Sequence, residues 1–154
     1  MPDRSLLIVS HLPSDNLKRL GAALEAGAGR NSSPIEVLHK PAFGSTAEDV
    51  LKADAIVLIT PENLGYMSGA LKDWFDRIYY PVLEKKQGLP LVSIIRAGHD
   101  GTGTERAIRT IATGLRWRWV QEAIVLRGDW QESWLQDVED LGEALVTALD
   151  SGMI

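Results

Sequence analysis

The sequence predicts an α/β fold: a three-layer, doubly wound, five-stranded parallel sheet in strand order 2-1-3-4-5, built as one domain over residues 1–154. Three observations predict it. Five short, nearly continuous apolar runs recur, Leu6 to Ser10, Ile35 to His39, Ala55 to Thr60, Leu91 to Ala97 and Ala123 to Arg127, and such runs fit strands covered on both faces. Segments of helical period separate them, and strict strand–helix alternation implies a parallel sheet with right-handed crossovers and helices on both faces. The second and fifth runs are the more polar: Ile35-Glu-Val-Leu-His39 alternates, and the fifth follows Gln121-Glu122. That places them at the edges, with the first, third and fourth in the centre. A chain of 154 residues has the size of one domain and can bury roughly 70% of its unfolded surface in a single core.

In chain order, the first run leads into a helix carrying Leu17, Leu20 and Leu24, with Ser14 placed to cap it. The second run is followed by Ser45-Thr-Ala-Glu48, a capping-box pattern in which a hydroxyl and a reaching carboxylate satisfy free amides; Thr102-Gly-Thr-Glu105 and Ser133-Trp-Leu-Gln136 repeat it ahead of later helices. After the third run, Leu71, Trp74, Phe75, Ile78, Tyr79 and Val82 form one apolar stripe of helical spacing, read as core packing. Further helices follow from Ala107, Ile108, Ile111, Ala112 and Leu115, and from Val138, Leu141, Leu145 and Leu149. Trp117, Trp119, Trp130 and Trp134 cluster in the last third; core or edge packing is the default for them and a self-association surface the alternative.

Composition excludes several classes. With 45% apolar and 24% charged residues the chain matches ordinary globular usage rather than a disordered or membrane protein. No apolar run approaches the ~20 residues of a bilayer span, and Met1-Pro-Asp-Arg4 runs toward a strand rather than into a signal peptide, so a cytoplasmic location is expected. The absence of cysteine excludes disulfides and thiolate chemistry. A net charge of −5 disfavours nucleic acid as a partner. His11, His39 and His99 are isolated in the sequence, so no metal site is expected, and the Gly-x-Ser-x-Gly element of serine hydrolases is absent.

In a sheet of this order, ligands bind beyond the carboxyl ends of the strands, between the first and third. Three loops meet there. Ser10-His-Leu-Pro-Ser-Asp-Asn16 brings hydroxyl and amide side chains to a helix N-terminus, where free amides and the positive dipole end favour an anion. It lacks the glycines and Lys-Ser/Thr of a nucleotide P-loop, and an ordinary N-cap at Ser14 explains it equally well. Pro61 to Ser68 turns the chain away from the strand and offers Leu64, Tyr66 and Met67 as apolar surface for a flat ring, with Gly65 allowing close backbone approach. Arg96-Ala-Gly-His-Asp-Gly-Thr-Gly103 supplies three glycines, letting amides face a planar heteroaromatic edge. The combination suits a ligand with a phosphate at one end and a flat ring at the other.

These features, Ser10…Ser14-x-Asn16, the longer Thr60-Pro-x-Asn-x-Gly-x-Met-Ser-Gly-x-Leu-Lys-x-x-x-Asp-Arg77 and the third, glycine-rich loop, resemble the flavodoxin-like FMN proteins, in particular the small NAD(P)H-dependent FMN and quinone reductases, over essentially the whole chain. The second motif is the specific one. The resemblance implies that Ser10, His11, Pro13, Ser14, Asp15 and Asn16 hold the FMN phosphate. It implies that Pro61, Glu62, Asn63, Leu64, Gly65, Tyr66 and Met67 wrap the isoalloxazine, and that Ala97, Gly98, His99, Asp100 and Gly101 meet its pyrimidine edge. The flavin N5 then carries the chemistry, with no catalytic side chain, NAD(P)H as transient reductant and a quinone, flavin or similar small molecule as acceptor. Such reductases often complete the site with a neighbouring subunit, so the resemblance also points to a homodimer.

Two alternatives stay open at this level. A short-chain flavodoxin-type carrier would bind FMN without a nicotinamide reaction of its own, although the mild net charge and a single ring-loop aromatic, Tyr66, suit it less. A non-enzymatic interaction module that has lost FMN is the other. A phospho-receiver domain is excluded, because the first and third strands end in Ser10-His11 and Ile59-Thr60 rather than in acidic residues.

Overall fold

The computed structural model describes residues 4–154; the expected run of Met1 to Asp3 into the first strand lies outside them. The elements are β1 (Ser5–Ser10), α1 (Asp15–Ala28), β2 (Glu36–Pro41), a 3-10 turn (Ala42–Gly44), α2 (Ala47–Lys52), β3 (Ala55–Asn63), β4 (Tyr66–Met67), α3 (Gly69–Val82), β5 (Pro90–Ala97), α4 (Thr102–Leu115), β6 (Arg118–Trp119), β7 (Ile124–Arg127) and α5 (Ser133–Ser151). The parallel sheet runs β2-β1-β3-β5, and β6 and β7 share the outer edge of β5. The expected order 2-1-3-4-5 therefore holds, with its fifth place divided. β6 pairs with Pro90 and Leu91 and β7 with Ile94 to Ala97, while the exposed Gln121 and Glu122 lie between them.

Side-chain alternation along β1 divides the interior in two. Leu7 and Val9 join Leu71, Trp74, Phe75 and Ile78 of α3 and Ile108, Ala112 and Leu115 of α4 on one face. Leu6 and Ile8 join Leu17, Leu20 and Leu24 of α1 and Val138, Leu145 and Leu149 of α5 on the other. The aromatic stripe of α3 is core, as expected: Trp74 and Phe75 are buried and pack with Trp117. Trp134 is buried as well, and Trp119 and Trp130 pack half-buried against the two cores.

Arg77, the last residue of the long motif, anchors α3 to the chain beyond β2. It donates to the carbonyls of Ser45 (2.8 Å) and Ala42 (2.7 Å) and pairs with Asp73 (2.8 Å).

The caps differ from the sequence pattern in three places. Ser14 caps α1 as expected, accepting from the Leu17 amide at 3.2 Å. At α2 the box is shifted by one residue, to Thr46 and Asp49. Asp49 also takes the Lys40 ammonium at 3.0 Å, a tertiary partner that Glu48 does not have. Burial pushes the Asp49 carboxyl up, but the Thr46 amide and Lys40 outweigh it, so it titrates below the usual carboxylate range. At α5, Ser133 is already helical; Glu132 precedes the helix, and the Trp134 and Leu135 amides close tight turns to Gln131 and Glu132. At α4 neither Thr102 nor Glu105 forms a box. Gly101 stands before the helix with no side-chain cap of its own, and the capping partner comes from elsewhere.

α1 and α5 touch backbone to backbone. A Cβ on Gly27 would lie 1.8 Å from the Glu139 carbonyl oxygen, and one on Gly142 would lie 2.5 Å from that of Leu24. Two helices can approach so closely only where neither carries a side chain. Gly27→Ala is expected to force them apart at a cost of about 1–3 kcal/mol, read as a lower urea midpoint with an unchanged m-value.

Candidate functional site

The three loops follow adjacent strands and open at one end of the sheet. The second is not the open loop expected. β3 does not stop at Thr60; it continues to Asn63, turns through Leu64 (φ 53°) and Gly65 (φ 78°), and returns antiparallel as Tyr66–Met67. Two consecutive positive φ angles make the tight hairpin whose twist matches the strands. Pro61 lies inside the strand, not at a bend. It shares the phase of Ile59, whose carbonyl accepts from the His11 amide, so its missing N–H faces the side where β1 has already ended. The buried Thr60 hydroxyl donates to the Pro61 carbonyl (2.8 Å), accepts from the Ser68 amide (3.1 Å) and meets the Ser68 hydroxyl at 3.1 Å, closing the base of the hairpin. Leu64 is fully exposed at the tip and Tyr66 is exposed beside it, whereas Met67 is buried in the core and offers no face to a ligand.

Glu62 ties this hairpin to the third loop. Its carboxylate accepts from the Gly101 amide (3.0 Å), the Thr104 amide (3.3 Å) and the Thr104 hydroxyl (2.9 Å). This is the missing cap of α4, delivered from 39 to 42 residues away. Glu62 is thereby committed to structure rather than turned toward a ring. Close packing reinforces the link, because a Cβ on Gly103 would stand 2.0 Å from the Gly65 carbonyl oxygen. Arg127 donates to the Asp100 carbonyl and Thr102 hydrogen-bonds the Asp100 carboxylate. Gly98, His99 and Asp100 are exposed, and among the described residues their amides have no protein acceptor.

In the first loop, Ser14 is occupied as the α1 cap, and the amides of Asp15 and Asn16 have no protein acceptor among the described residues. The Ser10 hydroxyl is buried and meets His39 Nε2 at 2.6 Å, while His39 Nδ1 meets Glu25 Oε2 at 3.2 Å. His39, isolated in the sequence, is therefore part of a chain of three side chains. His11 turns edge-on to Phe43, with ring centroids 6.4 Å apart.

The structure adds a group that the sequence reading passed over. Arg96, on the same face of β5 as Ile94, lies 4.9 Å from the Trp134 ring and 5.9 Å from that of Trp130, and Arg19 of α1 lies 5.7 Å from Trp130 on its own account. Glu132 completes the cluster by pairing with Arg19 and accepting from the Trp130 indole. The available signal was a lone arginine one residue before the end of a central apolar strand. No cluster of three or more His, Cys, Asp or Glu side chains able to hold a metal occurs among the described residues.

With this geometry in hand, comparison with known proteins defines the class. Residues 20–132 match the family model described as NADPH-dependent FMN reductase, which is well over half of the chain. The chain belongs to this family. The matched span includes the second and third loops and begins beyond Ser10 to Asn16. A flavodoxin of Aquifex aeolicus is 29% identical over 110 residues, covering 71% of this chain and 59% of that protein, so the chain spans less than two thirds of that relative's length. Among solved structures, an archaeal flavodoxin superimposes with TM-score 0.79 at 14% identity, over 94% of this chain and 98% of that one. A WrbA-like flavodoxin from Agrobacterium tumefaciens gives 0.69 at 17% identity, over 96% and 97%. At these identities the superpositions show the flavodoxin-like fold.

Removing the Glu62 carboxylate with Glu62→Ala is expected to cost about 1–2 kcal/mol and to speed hydrogen exchange at the Gly101 and Thr104 amides more than elsewhere. The Glu132 carboxyl is held down to about 2, from 4.5, by hydrogen bonds from Arg19 and Trp130. A depressed folded-state value contributes stability above about pH 4.5 that is lost as pH falls toward 2. Arg19→Ala is expected to return Glu132 toward 4.5 in an NMR titration.

Proposed function

We propose that this chain acts as a single flavodoxin-like unit that binds FMN and transfers electrons from NAD(P)H to a quinone, a flavin or a similar small acceptor. The observation that carries this reading is the pairing of unpartnered amides at the α1 N-terminus with a hairpin and a glycine loop locked together across the same end of the sheet. The residues fit the cofactor. The amides of Asp15 and Asn16, at the positive end of the α1 dipole, would hold the phosphate. The exposed Leu64 and Tyr66 side chains would cover a ring face, and the amides of Gly98, His99 and Asp100 would donate to a ring edge and balance negative charge there. Of the broader set implied by resemblance, Pro61, Glu62, Asn63, Gly65, Met67, Ala97 and Gly101 would serve as frame, and His11, Pro13 and Ser14 as the phosphate end, while the Ser10 hydroxyl is engaged by His39 instead.

Bound FMN supplies the redox chemistry. The chain contributes rigidity: Glu62 keeps the two ring loops in one register, so the donors of residues 98 to 100 are set before the ligand arrives. The family match supports a nicotinamide as reductant. A neighbouring copy that closes the site is the arrangement we favour, with the exposed Leu64 tip as the surface it would cover.

The second reading is a flavodoxin-type carrier, favoured by the match to the Aquifex aeolicus flavodoxin. An anaerobic visible spectrum of the protein with FMN, before and after NADPH and then NADH, separates the two. A shifted flavin band that bleaches rapidly with either nicotinamide is the expected result. Binding without accelerated bleaching establishes the carrier instead, and no spectral change on mixing overturns both.

A further inference from the structure

On the β2 side of α1, away from the loops that follow β3 and β5, a cleft of about 480 Å³ is lined by Ser10, Leu12, Lys18, Glu25, His39 and Pro41 among others. Lys18, Gly21 and Glu25 stand three and four positions apart on one stripe of α1. Gly21 makes room for the imidazole: a Cβ there would lie 3.2 Å from His39 Cε1 and 2.7 Å from Leu12 Cδ1. Within this space Ser10 Oγ meets His39 Nε2 at 2.6 Å and His39 Nδ1 meets Glu25 Oε2 at 3.2 Å. A carboxylate on Nδ1 selects the tautomer that carries its proton there, which leaves the Nε2 lone pair free to accept from the serine hydroxyl. That is the ordered chain of nucleophile, base and orienting carboxylate on which acyl transfer by serine depends, and it recurs on unrelated folds in different sequence orders.

We propose that this cleft, which borders the start of the phosphate loop on its β2 side and lies away from the two ring loops, is an ester-hydrolysing site with Ser10 as nucleophile and His39 as general base. The Ser10 oxygen bonds to the ester carbonyl carbon as its proton passes to His39 Nε2. The ester C–O bond then breaks and the alcohol leaves with that proton. Water, giving a proton to His39, attacks the acyl-serine and releases the acid, and the proton returns to Ser10. Glu25 acts through His39 and is a positioning residue. The Leu12 amide, two residues beyond the nucleophile, has no protein acceptor among the described residues and is the nearest donor in sequence for the developing oxyanion.

The lining defines the substrate. Ser10 is only 3% exposed, which favours a slim acyl group over a branched one. Lys18 pairs with no carboxylate among the described residues, which favours a short acyl chain ending in a carboxylate.

The test uses the whole protein with p-nitrophenyl acetate, p-nitrophenyl hemisuccinate and a fluorophosphonate label mapped by mass spectrometry. Expected are labelling at Ser10 and faster turnover of the hemisuccinate. Loss of about 100-fold or more in turnover is expected in Ser10→Ala and His39→Asn with unchanged circular dichroism. Glu25→Gln should lower kcat about tenfold at constant KM, and Lys18→Ala should raise KM more for the hemisuccinate than for the acetate. The absence of label on Ser10 in the unaltered protein, or equal hydrolysis by wild type and Ser10→Ala, overturns the proposal. Neither outcome depends on whether FMN binds.

Discussion

One carboxylate organises the end of this molecule where the strands open. Glu62 stands on a hairpin that exists because β3 runs past its parallel neighbours, and it caps a helix that has no cap of its own. A negative charge at a helix N-terminus answers both the free amides and the dipole, so one side chain meets two needs of α4 at once. The contact sets the distance between the second and third loops. The Gly65 carbonyl and Gly103 can then touch, and two glycines from motifs that look unrelated in the sequence become the two halves of a single close approach.

The signals that the sequence displayed well were those that act over one turn or one strand. The apolar runs, the polar alternation of Ile35 to His39, the Ser14 cap and the stripe from Leu71 to Val82 each depend on neighbours a few positions away. What the sequence hid depends on partners far along the chain. Thr46 and Asp49 displaced Ser45 and Glu48 as the capping pair where Lys40 arrives from β2. Thr60 ended the apolar run ahead of a proline, and it looked like the end of a strand that in fact continues as half of a hairpin. Gln121 and Glu122 signalled an edge, but not that the edge is broken into two pieces. The three loops were legible as a group. That Glu62 faces α4, that Met67 faces the core and that Ser10 faces His39 were not, because 29 residues separate Ser10 from His39.

β1 is the divider between two environments. To one side, the hairpin and the glycine loop form a shallow rim of backbone donors and two exposed apolar side chains. To the other, α1 lies over β2 with a glycine at the crossing and a hydrogen-bonded serine beneath it. The strand's last residue belongs to both walls in sequence, yet its side chain is committed to one of them. The same logic governs Arg96, the penultimate residue of β5, whose guanidinium is laid against Trp134 while the backbone runs on through Ala97 into the glycine loop.

The borders of the sheet have a consequence of another kind. An edge strand is a template on which a second chain can extend hydrogen bonding, and long, flat, apolar edges invite runaway stacking. Here one border is the six-residue β2, with Glu36 and Lys40 among its side chains, and the other is two fragments of two and four residues interrupted by exposed polar residues. The first is short, carries charged side chains and ends in Pro41, and the second is broken, so neither invites strand-to-strand growth. Association between molecules is thereby steered away from strand-to-strand growth and toward helical and loop surfaces, where contacts are finite and a closed assembly can form.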